Sequence, residues 1–161
     1  MNLQLTKTLI DKIKPTLSTI DVSENSDIDN YHCTLLQFGR DNILLITNDV
    51  TLYSFVIFGL KSKDFKNIEE VIRESVFKLL IESGFPQNQY ERVLSSMESF
   101  SYCKSSDRSI LSTMTEMKKC IGYDLDQSPF EINHSINNMI FKRTDYKKPH
   151  KLFQKLLEES K

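Results

Sequence analysis

Apolar positions in this chain follow two rhythms. Between residues 31 and 58 they run almost unbroken through YHCTLLQF, ILLIT and LYSFVIF, interrupted by GRDN (39–42) and NDVT (48–51). Runs of that length and β-branched or aromatic content, bounded by Gly, Asn and Asp, predict three strands joined by two tight turns. The third run, 52–58, is apolar on both alternating faces, with Tyr53, Phe55 and Ile57 on one and Leu52, Val56 and Phe58 on the other. That pattern predicts a central strand covered on both sides. Shorter alternations at 3–6 (LQLT) and 99–104 (SFSYCK) predict two further strands.

Elsewhere the spacing is helical. Leu9, Ile10 and Ile13 share a face before Pro15 stops the first helix. Ile68, Val71, Ile72, Val76, Leu79 and Leu80 define the longest amphipathic stretch, which Gly84 ends. Asn67 and Glu70 have capping-box spacing at its start. Pro86 opens a helix to Met97. Ser106 or Asp107 caps another, whose stripe is Ile110, Leu111, Met114, Met117 and Ile121 and whose end is set at Gly122. Ser128-Pro129-x-Glu131 is a strong start signal for a helix through Lys142, and Pro149 opens the last one. Residues 16–30, acidic and rich in Ser and Asn, read as a loop. The elements predict an α+β fold: an antiparallel β-meander of about five strands with helices packed mainly on one face.

Composition narrows the class. A chain of 161 residues, 39% hydrophobic and 27% charged, fits a single globular domain over 1–161, and no apolar run approaches a membrane span. The first residues lack the pattern of a secretory signal, so a cytoplasmic setting is expected. Cys33, Cys103 and Cys120 show no metal-ligand spacing and read as reduced thiols. A net charge of −1 gives no global attraction to nucleic acid.

The ordered motifs Y-H-C-T-L-L (31–36), L-I-T-N-D-x-T-L-Y-S (45–54), G-L-K-S-K-D-F-K-N (59–67) and K-S-S-D-R-S (104–109) resemble an uncharacterised bacterial domain. It is found alone in plasmids, phages and genomes, or N-terminal to a domain similar to the plasmid pRiA4b ORF-3 protein. The resemblance covers residues 3–122, with Tyr31 where the family pattern has Trp, and leaves 128–160 as a C-terminal helical extension. It implies an intracellular protein linked to mobile elements and brings no activity, substrate or cofactor.

Four polar groupings carry candidate chemistry. Antiparallel pairing about a turn centred between Arg40 and Asp41 sets His32 opposite Asp49, a His–carboxylate couple of the kind used in general-base catalysis. The opposite end of the meander gathers Arg40, Lys61 and Lys63, a candidate anion cluster beside Asp41 and Asp64, which offer surface pairing instead. The junctions LTKTLI (5–10) and YCKSSDRSILS (102–112) each join a short strand to a helix through a Lys. If those strands are adjacent and parallel, Lys7, Lys104, Ser106, Arg108 and Ser109 converge at one edge, where a helix N-terminus receives anions. The basic tract KRTDYKKPHK (142–151) offers cations with Tyr146 for stacking, or a solvated loop. His134 has Asn138, not a ligand, at i+4, which excludes a helical metal pair.

No complete catalytic or metal constellation follows from spacing, and no cofactor is called for. The leading expectation is therefore a non-catalytic protein-interaction or regulatory module with a protein partner and no membrane association. The alternative is a phosphate- or nucleic-acid-directed enzyme or binder. An enzyme requires His32, Asp49 and a cation around one concave pocket, whereas a binding module requires exposed apolar surface.

Overall fold

A computed structural model describes residues 1–19 and 24–160; residues 20–23 of the expected acidic loop lie outside them. In chain order the elements are β1 (Asn2–Leu5), α1 (Lys7–Ile13), β2 (Asn30–Phe38), β3 (Asp41–Asn48), β4 (Ser54–Ile57), α2 (Ile68–Glu82), α3 (Gln87–Ser96), β5 (Ser101–Lys104), α4 (Arg108–Tyr123), α5 (Pro129–Asn138) and α6 (Pro149–Glu159).

The five strands form one sheet in the order β4-β3-β2-β1-β5. Only β2, β3 and β4 make the expected antiparallel meander; β1 runs parallel to both β2 and β5, so the sheet is mixed. Parallel neighbours require a crossover, and the connection from β1 to β2 contains α1. Helices cover both faces rather than mainly one. Leu9 of α1, Ile72, Val76 and Leu80 of α2, Val93 of α3 and Phe153 and Leu157 of α6 pack with Tyr31, Cys33, Ile46 and Phe55 on one face. Ile110, Met114, Met117 and Ile121 of α4 and Ile132 and Ile136 of α5 pack with Leu36, Ile43, Leu45 and Val56 on the other.

The first hairpin turns on Gly39 and Arg40, with Phe38 paired to Asp41 and Gly39 at positive φ (61°). A glycine at the first central position suits a two-residue connection, and it moves the centre of the hairpin one residue earlier than the sequence reading set it. The second turn is built by the buried Asn48. Its Oδ1 accepts from the N–H groups of Val50 and Thr51 and from the Thr51 hydroxyl, while its amide donates to the carbonyls of Asp27 and Asn30. These bonds hold Leu52 at φ 60°.

β4 departs from expectation most clearly. Its both-sided burial predicted a central strand, yet it is an edge. The explanation lies in α5. Asn133 Oδ1 accepts from Val56 N–H at 2.8 Å and its amide donates to the Val56 carbonyl at 2.9 Å. Asn137 repeats this at Ser54, at 2.7 and 2.8 Å. Two asparagines one helical turn apart thus occupy the outward backbone groups that an edge strand leaves unpaired.

Capping follows local chemistry in part. Ser128 and Glu131 form the expected capping box, and Asp107 is the cap of α4. Asn67 makes no side-chain cap bond, so the expected box at α2 is absent. α5 ends at Asn138, short of Lys142, and the chain continues through a 3-10 turn at Lys142–Thr144. Gly122 does not end α4 but lies inside it, where an added Cβ would come within 2.8 Å of Phe38 Cε1.

Candidate functional site

The strand registers align Ser54, Thr47, His32, Gln4 and Cys103 in one row across all five strands. Alternation puts their side chains on the face covered by α4. This polar line crosses an otherwise apolar layer. Ser54 and Thr47 share a hydroxyl hydrogen bond at 2.9 Å and meet Met117 Sδ of α4.

His32 lies at the centre, fully buried, with Nδ1 2.8 Å from Asp49 Oδ1. The other carboxylate oxygen, Oδ2, accepts from the Gln4 amide at 2.5 Å. The expected couple is therefore formed, though not by the expected register. His32 is directly opposite Thr47, and Asp49 lies just past the end of β3, where its N–H donates to Asn30. A two-residue difference in register preserves the face on which a side chain projects, so Asp49 reaches the imidazole from the turn.

Chemically the couple is enclosed. His32 Nε2 is buried and has no hydrogen-bond partner among the described residues. The main surface clefts are lined by other residues: one of about 390 Å³ by Glu69, Glu70, Arg73 and Tyr102, and one of about 500 Å³ by Ser109, Ser112, Phe141, Lys142 and Arg143. Cys103 completes a His–Asp–Cys set by residue type only. Gln4 of β1 separates it from His32, a gap of about 10 Å at ordinary strand spacing. Burial pushes the Cys103 thiol up, and the nearby Asp49 charge pushes it further, the opposite of an activated nucleophile.

β1 and β5 are adjacent and parallel, with Leu5 paired to Lys104, so the two strand-to-helix junctions do lie side by side. Their helices then leave for opposite faces, α1 with Leu9 in one apolar cluster and α4 with Ile110 in the other. Lys7, Lys104, Ser106, Arg108 and Ser109 are all exposed. The amides that would receive an anion at α4 are already engaged, because Asp107 Oδ1 accepts from Ser109 and Ile110 N–H at 2.9 and 3.1 Å. Asp107 Oδ2 pairs with Arg143 at 3.1 Å. Burial raises the Asp107 carboxyl, but the Ile110 N–H, Arg143, the Ser109 N–H and His32 together hold it below its ordinary value. The helix thus carries its own anion.

At the other end, Arg40, Lys61 and Lys63 are exposed, and none forms an ion pair among the described residues. Asp64 accepts from the Lys61 backbone N–H instead of meeting a cationic side chain. Among the described residues no group of three or more His, Cys, Asp and Glu is arranged to hold a metal ion, and no helix is long and apolar enough to cross a membrane.

Three residues with structural roles escaped the sequence reading: Gln4, Asn133 and Asn137. The last two had a signal, since polar Asn133 and Asn137 fall on the same buried helical face as Ile132 and Ile136.

No curated protein and no solved structure matches the chain. The profile of a family described as Domain of unknown function (DUF6933) matches residues 2–152. The match runs beyond residue 122, where the sequence resemblance stopped, through α5 and into α6. The strands, the polar row and the asparagine seal all fall inside that span, and the chain belongs to this family of unknown function.

Proposed function

We propose that this protein is a cytoplasmic, non-catalytic protein-interaction or regulatory module, one domain over residues 1–161, associated with mobile elements. The observation that carries the binding reading is on α2. Phe77 and Ile81 are 41% and 49% exposed one helical turn apart, and the Phe77 ring meets Tyr90 of α3 edge-on at 5.6 Å. The Lys78–Glu82 pair lies along the same helix. Adjacent large apolar side chains bordered by charge are the usual composition of a docking surface. The mobile-element setting rests on the motif resemblance alone.

The enclosure of His32 supports the non-catalytic part. A general base needs reach to a substrate proton, and this imidazole is beneath α4 with Nδ1 engaged by Asp49. The test is cross-linking mass spectrometry in the native host with wild type and a Phe77→Glu/Ile81→Glu variant. A protein partner cross-linked at α2 by wild type and lost in the variant supports the reading. Recovery of the same partners by both, or of none by wild type, overturns it.

A further inference from the structure

The 142–151 tract holds five of the chain's 21 Lys and Arg and a single acid, Asp145. Its residues 142–148 fold as a tight loop ahead of α6 and not as a loose connector. Thr144 is buried, and its hydroxyl, with one proton to give, lies within hydrogen-bond reach of the carbonyls of Phe141 and Lys147; Asp145 N–H donates to the Lys142 carbonyl, and Tyr146 N–H to that of Phe141. These bonds hold two consecutive non-glycine residues, Asp145 and Tyr146, at φ 50° and 58°. Left-handed backbone at such residues is costly and persists only where neighbouring contacts fix it. The Tyr146 side chain on this backbone is 63% exposed, and its chain neighbours Lys142, Arg143, Lys147 and Lys148 are exposed as well.

Directly beside this loop is the cleft of about 500 Å³ between α4 and the 3-10 turn. Lys142 and Arg143 line it from the turn, and Ser109, Ser112 and Thr113 line it from α4. The Thr113 hydroxyl donates to the Ser109 carbonyl, while Ser109 and Ser112 are exposed. Glu116 also lines the cleft, and Asp107 holds one side of Arg143. Cations and hydroxyls together contact phosphate oxygens, and an exposed aromatic among cations stacks an unpaired base. An acidic peptide would use the cations but not the ring.

We infer that the α4 cleft and the 142–148 loop form a binding surface for single-stranded nucleic acid, with Lys142, Lys147, Ser109 and Ser112 on the backbone phosphates and Tyr146 stacked on a base. The surface is distinct from Phe77 and Ile81, so each reading fails or holds without the other.

The test is fluorescence anisotropy of the full chain with labelled oligothymidylate and oligouridylate of about 12 nucleotides, a duplex of equal length and polyglutamate. At roughly 50 mM salt a single strand binds and the affinity falls several-fold by roughly 200 mM. Lys142→Gln/Lys147→Gln lowers affinity and flattens the salt dependence. Tyr146→Asn, which tolerates the left-handed backbone, loses about tenfold on single strands and little on duplex. Absence of binding at low salt, equal binding of polyglutamate, or an unchanged affinity in Tyr146→Asn overturns the inference. The wild-type comparison of oligonucleotide with polyglutamate decides the matter even where a variant unfolds.

Discussion

Asn133 and Val56 exchange two hydrogen bonds, amide to carbonyl and N–H to amide oxygen, as two residues of neighbouring strands would. Asn137 does the same at Ser54, so α5 acts toward β4 as a further strand made of side chains. Asn133→Leu leaves the Val56 N–H and carbonyl unpaired at a buried position. The expected loss is roughly 2–4 kcal/mol, about 5–12 °C in Tm. Urea denaturation and thermal unfolding measure it, and the double Asn133→Leu/Asn137→Leu variant should also aggregate with rising concentration as the edge opens. A near-neutral Asn133→Leu would show that the seal contributes nothing.

The Asp49 carboxylate serves two donors at once, His32 and Gln4. Asp49→Ala leaves both without an acceptor in or near the core and should cost roughly 2–4 kcal/mol. Adding Gln4→Leu removes one of the stranded donors, so the double variant should recover part of that loss. A double-mutant cycle on urea midpoints should give a coupling of about 1 kcal/mol or more, and strict additivity would deny the shared contact.

His150 lies against Phe85 and Tyr53, with ring centroids at 5.1 and 6.1 Å, in a small cleft with His134. Burial, and then the charge of His134, lowers its pKa below the ordinary 6.5. The unfolded chain therefore binds this proton more readily. Its contribution to stability is fully present above pH 6.5 and is lost as pH falls through the lower folded value. Stability measured by denaturant titration should decline between about pH 7 and pH 5, and His150→Phe should flatten that stretch. An identical slope in the variant would reject the assignment.

Gly122 sits inside α4, where Ala would ordinarily gain about 1 kcal/mol in helix propensity. Here the added methyl meets the Phe38 ring at 2.8 Å. Gly122→Ala is expected to lose about 1 kcal/mol in thermal unfolding, and Gly122→Ala/Phe38→Leu to recover it by opening space. A stabilised single variant would mean the ring moves aside freely.

The His32–Asp49 contact illustrates how sequence reasoning can reach a correct pair through a wrong register. Parity survives a two-residue slip, so the face was legible although the hairpin centre, fixed by Gly39 at positive φ, was not. The basic clusters were legible only as composition. Whether Ser109 N–H faces solvent or Asp107 depends on rotamers and caps that spacing alone cannot rank.

By itself the sequence determined what is local: the strand runs around Gly39 and Asn48, the helix starts at Ser128 and Pro149, and the apolar stripes that face a core. Those signals arise from backbone conformation and from periods of two and 3.6 residues, which act within a few neighbours. Tertiary structure alone decided that β1 lies parallel between β2 and β5, that β4 is an edge sealed by Asn133 and Asn137, and that His32 is closed beneath α4. Each joins residues distant in the chain. A buried asparagine reads the same in sequence whether it caps, turns or clamps, until the backbone groups it can reach are in place.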